Sequence, residues 1–156
     1  GSVFTMCFPL IICDAPAAAA VKQEMTDTSV LSGKHALICE DNEINMMIEQ
    51  KLLEDKGCIT DTAPDGKVAV QKARNGGYDI ILMDVRMPVM NGIDAVKAIR
   101  AFDAVTPIVA VSANAYEDDV RQSLQSGMDA HLVKPIETDK FFDVISHLCA
   151  SGRIVQ

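Results

Sequence analysis

The chain has 156 residues, enough for one substantial core and short for two. A formal net charge of −8 repels a phosphate backbone over most of the surface and weighs against direct nucleic-acid binding. The five cysteines, Cys7, Cys13, Cys39, Cys58 and Cys149, are dispersed and form no C-x-x-C pair. They argue against a disulfide framework or a zinc site and suit reduced thiols in a cytoplasm.

Residues 3–13 are apolar but make only about half of the ~20 residues of a spanning helix. Pro9 interrupts them and no basic segment precedes them, so neither a membrane segment nor a secretory leader is expected. Their alternation, VFTMCFPLII, suits a strand of some other sheet. Residues 14–33 change to an Ala, Ser, Thr and acidic mixture without an apolar stripe and read as a linker with a short helix at its alanines. The compact domain is expected over residues 34–150, with 151–156 as a tail.

Within that domain, short runs rich in Val and Ile at residues 35–39, 58–62, 79–83, 108–111 and 130–133 read as strands. Helical windows separate them. The first is marked by Ile44, Met47, Ile48 and Leu52, the second by Val68, Ala69 and Ala73, and the third by Ile93, Val96 and Ile99. Val120 and Leu124 mark the fourth, and Phe141, Val144, Ile145 and Leu148 the last. Strict alternation implies an α/β fold with a parallel sheet covered on both faces, and ligands bind such sheets outside the carboxyl ends of the strands.

At that edge the sequence places Glu40 and Asp41 after the first strand, Asp84 after the third, Ser112 after the fourth and Lys134-Pro135 after the fifth. Crowded carboxylates repel, by roughly 4 kcal/mol for two unit charges ~4 Å apart at the effective dielectric of a protein surface, and call for a cation. A few carboxylates in an open site fit magnesium, with water and a phosphoryl oxygen completing its shell. Beside such an ion a carboxylate can attack a phosphoryl group while an ammonium and a hydroxyl share the charge. Asp84 is the expected nucleophile, Glu40 and Asp41 the metal holders, Lys134 the ammonium and Ser112 the hydroxyl.

The segments LICEDN, IILMDVRMPVMNG, IVAVSANA and HLVKPI together resemble the receiver domain of two-component response regulators. The resemblance implies a flavodoxin-like, doubly wound (βα)5 fold with strand order 2-1-3-4-5. It implies transfer of phosphate from a phosphohistidine, on a kinase domain or a histidine phosphotransfer protein, to Asp84. Magnesium, or manganese in its place, would be held by Asp41, Asp84 and the backbone carbonyl of Arg86, with Glu40 acting through water. Lys134 would contact the phosphate, the Lys134-Pro135 bond is often cis in the family, and Ser112 would turn toward the new phosphate as the switch. His131 stands where many receivers carry a Tyr or Phe that swings inward, and Arg86 and Asn114 stand where the family tunes phosphate loss. The opening GSVFTMCFPL resembles the end of a histidine-kinase ATP-binding domain, which would make the chain part of a hybrid histidine kinase. The receiver itself would catalyse only its own phosphorylation and dephosphorylation, and dimerisation is compatible with the family.

Two other functions fit part of the pattern. A haloacid-dehalogenase-like phosphatase also uses a strand-end Asp and magnesium, but it needs a second Asp where Arg86 stands and a cap domain. A pseudo-receiver would act by interaction alone, and it would be expected to lack some of Glu40, Asp41, Asp84, Ser112 and Lys134.

Overall fold

A computed structural model describes residues 28–113 and 116–151. The expected amino-terminal strand, most of the linker, Asn114 and residues 152–156 lie outside the described residues. After a 3-10 turn at Thr28–Leu31, strands and helices alternate: β1 (His35–Cys39), α1 (Glu43–Glu54), β2 (Ile59–Ala63), α2 (Gly66–Asn75), β3 (Ile80–Asp84), α3 (Gly92–Arg100), β4 (Ile108–Ser112), α4 (Glu117–Ser126), β5 (Ala130–Val133) and α5 (Thr138–Ser151). The strands pair in parallel in the order β2-β1-β3-β4-β5, the order the motifs implied.

β1 and β5 have their expected limits, while β2 and β3 run one residue later than expected and β4 one residue longer. The shift matters at two residues. Asp84 pairs with Val111 and Ser112 with Val133, so both are the last rungs of the sheet and not the first residues of loops.

Alternate residues of the buried strands feed two cores, as a period of two requires. On one face Ile38, Leu82, Val111 and Leu132 meet Leu53 of α1 and Phe141, Ile145 and Leu148 of α5. On the other, Leu37, Ile81, Met83 and Ala110 meet Ala69 and Ala73 of α2 and Ile93, Val96 and Ile99 of α3. Short polar side chains start three of the helices by accepting otherwise unpaired amide hydrogens. Asn42 accepts from Ile44 and Asn45, Asp65 from Val68, and Asn91 from Asp94.

The apolar stripe expected to bury α1 does not do so. Ile44, Met47 and Ile48 are 69%, 66% and 49% exposed, and the helix buries Glu49 and Leu53, with Met46 and Leu52 packed at the edge of the same core. Two stripes compete on this helix, and the start point decides between them. Asn42 caps the first turn one residue after Asp41, and that fixed origin rotates residues 46, 49 and 53 toward the sheet.

Gly92, the first residue of α3, lies so close to the end of β3 that a Cβ there would overlap the Asp84 carbonyl oxygen and meet Val85 Cα at 2.9 Å. Its amide donates to the Val85 carbonyl at 2.9 Å. The Asn91-Gly92 pair therefore serves to dock α3 directly against the strand that carries Asp84.

Met47→Lys is expected to change unfolding stability by less than about 0.5 kcal/mol, whereas Leu53→Ala is expected to cost about 2–5 kcal/mol. Urea unfolding midpoints check both. A large loss in Met47→Lys would restore the apolar stripe read from the sequence.

Candidate functional site

β1 and β3 are neighbours, yet β1 continues through α1 to β2 on one side of the sheet order while β3 leads away through β4 and β5 on the other. The carboxyl ends of these two strands therefore flank the crevice where an open α/β sheet binds its ligands. Cys39 pairs with Met83, so the next residues, Glu40 and Asp84, stand level at that crevice.

Glu40 extends β1 by donating its amide to the Ala63 carbonyl at 3.0 Å. Its carboxylate is buried and held at both oxygens, Oε1 by the Asn42 amide at 3.1 Å and Oε2 by Lys134 Nζ at 2.6 Å. Asp84 is held in the same way, Oδ1 by the Arg86 amide at 3.0 Å and Oδ2 by Lys134 Nζ at 3.1 Å. Lys134 thus bridges residues 94 and 50 positions away in sequence. Its own amide is anchored to the Ser112 carbonyl at 2.8 Å, and the peptide bond that follows, to Pro135, is cis.

One carboxylate oxygen from each of Glu40, Asp41 and Asp84 lies within 4.8 Å of the others, with Glu40 and Asp84 buried and Asp41 exposed. Three carboxylates against one ammonium leave a formal charge of −2, and the donors are all hard oxygens open to solvent on the Asp41 side. That set suits a hydrated divalent cation of the magnesium type. Burial by itself would lower the Lys134 pKa; hydrogen bonding to Glu40 and the charge of Asp84 outweigh it and raise the ammonium above its ordinary value.

Ser112 is buried at the end of β4, one strand from Asp84. His131 is buried too, and its Nδ1 lies 3.3 Å from Ser123 Oγ, so it faces α4. Arg86 is exposed on the loop after β3, and only its amide engages Asp84 directly. In that loop Val89 takes a left-handed backbone with φ of 68°, an unusual conformation for a β-branched residue, while 79% exposed. The five residues singled out from sequence therefore lie on one edge, with distances that tie four of them together and a ladder position for Ser112.

Glu49 went unrecognised in the sequence. It lies on the buried face of α1, 1% exposed, and its Oε1 has no hydrogen-bond partner. Its carboxyl is pushed up to about 8, first by burial and then by the charge of Glu40, with Asp84 adding and Lys134 opposing. A polar residue inside an otherwise apolar 46-49-53 stripe was the available signal, and the rival stripe at 44-47-48 concealed it.

The sequence and the fold both have counterparts among known proteins. The family model for the response regulator receiver domain matches residues 36–146. The chain is 37% identical over 134 residues to the sensor protein GacS of Pseudomonas syringae pv. syringae, covering 83% of this chain and 15% of that protein. It spans about a quarter or less of the length of several of the curated relatives that it matches. Among solved structures, the receiver domain of the sensor histidine kinase PA1611 of Pseudomonas aeruginosa PAO1, with a magnesium ion coordinated in its active site cleft, superposes with a TM-score of 0.72 at 34% identity. It covers 77% of this chain and 100% of that one. The receiver domain of the Saccharomyces cerevisiae response regulator Ssk1, crystallised with the histidine phosphotransfer protein Ypd1, superposes with a TM-score of 0.65 at 34% identity, covering 68% of this chain and 81% of that one.

Replacing Lys134 by Met leaves Glu40 and Asp84 buried without a counter-charge. The expected loss is about 3 kcal/mol at neutral pH, near the lower end for a broken buried pair because Lys134 is partly solvated. Urea unfolding at pH 7 measures it, and an unchanged midpoint would show that water already neutralises the two carboxylates.

Proposed function

Because the chain belongs to the response regulator receiver domain family, we propose that it takes a phosphoryl group from a phosphohistidine onto Asp84 and converts that event into a change of surface on its β4–α4–β5–α5 side. The observation that carries this reading is the Asp84 carboxylate itself, buried on the last rung of β3, fixed at both oxygens, and adjoined by an ammonium and two further carboxylates.

In the transfer, the phosphorus–nitrogen bond of the phosphohistidine breaks, an Asp84 oxygen forms the new phosphorus–oxygen bond, and the released imidazole takes a proton from solvent. Glu40, Asp41, Asp84 and the Arg86 carbonyl would hold magnesium, or manganese in its place, and the hard-oxygen donor set with its surplus charge of −2 supports that assignment. Magnesium supplies, when bound, positive charge for the transferring phosphoryl oxygens. Lys134 pairs with both Glu40 and Asp84 and offsets one of their two charges. Once those carboxylates have a divalent partner, its ammonium is available to a phosphoryl oxygen. Asp84 is positioned before the donor arrives, since the Arg86 amide holds Oδ1 and the Gly92 contact fixes the strand end. Ser112 is then the hydroxyl that turns toward the phosphate. His131, through Ser123, is the contact by which α4 responds.

The exposed side chains of Ile44, Met47 and Ile48 form an apolar face that begins just after Asp41. We assign to it the docking of the phosphohistidine protein, because a donor bound there has its imidazole beside the crevice. The crystallised pairing of a receiver with a phosphotransfer protein supports a partner of this kind. Sensor and hybrid kinases among the relatives support an origin in a hybrid histidine kinase, with the receiver at 34–150, a linker at 14–33 and the end of an ATP-binding domain at 1–13. No helix among the described residues is long and apolar enough to cross a membrane. A cytoplasmic setting, where such a kinase domain would supply phosphate, follows from the same reading.

With acetyl phosphate and magnesium, intact-protein mass is expected to rise by one phosphate in the native chain and stay unchanged in Asp84→Asn; a rise in the variant would remove Asp84 as acceptor. Met47→Glu is expected to slow transfer from a phosphorylated histidine phosphotransfer protein at least tenfold while leaving labelling by acetyl phosphate unchanged. Equal slowing with both donors would place Met47 in the chemistry and not in docking.

A further inference from the structure

Among the described residues, Glu49 is the one buried carboxyl near the crevice that the proposed transfer does not use. It projects from α1 toward the sheet, is 1% exposed, and carries an oxygen without a hydrogen-bond partner. A buried, unpaired carboxylate is costly, whereas a buried carboxylic acid is tolerated, so a group in this setting keeps its proton unless a cation approaches.

The charged and titratable groups acting on it come from every element that meets the crevice. Cys39 lies at the end of β1, Glu40 follows β1, Asp84 ends β3, and Lys134 follows β5. Two of these neighbours are anions, and the sole cation among them already bridges those same two anions. Cys39 is a buried thiol pushed well above its ordinary value, first by burial and then by Glu49 itself, so it takes no part near neutral pH. Burial is the larger cause of the raised value and local charge adds to it, and the largest change of local charge open to this site is the arrival of a divalent cation.

We propose that Glu49 is a proton-linked partner of the acidic site: it carries a proton in the cation-free receiver and gives it up when Glu40, Asp41 and Asp84 take a divalent ion. The inference rests on the metal-site reading above and deepens it. By reciprocity, pH tunes metal affinity and with it readiness for phosphorylation, so a receiver in a more acidic compartment or cell binds its ion more weakly. The position of the group agrees with the direction of its shift to about 8, which spans the neutral range.

The sign of the effect on folding is fixed independently. Between the ordinary carboxylate value of 4.5 and about 8, the unfolded chain has lost the Glu49 proton and the folded chain retains it. The unfolded state binds fewer protons there, so this residue's contribution to stability is full below 4.5 and is lost as pH rises toward about 8.

The test is a calorimetric titration of the full chain with magnesium chloride at pH 7.5, in two buffers that differ in ionisation enthalpy, which counts protons released per ion. The native chain is expected to release a measurable fraction of a proton, and Glu49→Gln to bind one ion while releasing close to none. Between pH 6.5 and 8.5 native affinity is expected to rise more than that of the variant, by about tenfold for each unit by which the ion lowers the Glu49 value. Glu49→Leu provides the same comparison if the buried amide of the Gln variant impairs folding, judged by circular dichroism. Equal proton counts in native and variant, or none in either with the ion bound, would overturn the inference and leave the metal site standing. An absence of magnesium binding by the native chain would overturn both.

Discussion

The bridge from Lys134 to Glu40 and Asp84 is the interaction on which the rest of the site depends. It links the ends of three strands, β1, β3 and β5, and offsets part of the repulsion between two buried carboxylates at the sheet edge. Without a counter-charge, repulsion would drive one of them to protonate or the loops to separate. The bridge is also strained by its own composition, since one ammonium serves two anions with a third, Asp41, close by. A site left with surplus negative charge is primed for a cation, and chemistry that delivers a phosphoryl group needs that cation in place.

The scaffold converts this local charge balance into position. Parallel strands buried on both faces leave Asp84 no freedom along β3, and Gly92 lets α3 begin in contact with its carbonyl. Ser112 and Lys134 are coupled through a backbone hydrogen bond across β4 and β5, so a change at either is felt by both. From β5 the path reaches α4 through His131 and Ser123, both buried.

Most of the fold could be read in the sequence because it rests on local rules. Period-two alternation in the strands and the apolar spacing of the helical windows each act within a few residues. The site was legible for a related reason: a sheet of this topology gathers the strand ends, so positions 40, 41, 84, 112 and 134 could be placed on one edge from strand limits alone. What escaped was rotational. Helix α1 offers two stripes, and choosing between Ile44-Met47-Ile48 and Met46-Glu49-Leu53 requires knowing where the capped turn starts relative to β1. That error hid both the apolar face beside the crevice and the buried Glu49. The inward setting of His131 toward α4 likewise depends on a contact eight residues away across a loop.

Asp84, and no other carboxylate of the crowded edge, is the proposed phosphoryl acceptor. The most direct measurement is borohydride reduction of the chain after labelling by a phosphohistidine donor, followed by peptide mass mapping, since reduction of an acyl phosphate converts an aspartate into homoserine. A magnesium-dependent homoserine is expected at position 84 alone. A homoserine at position 41, or a labelled histidine with no reduced aspartate, would contradict it.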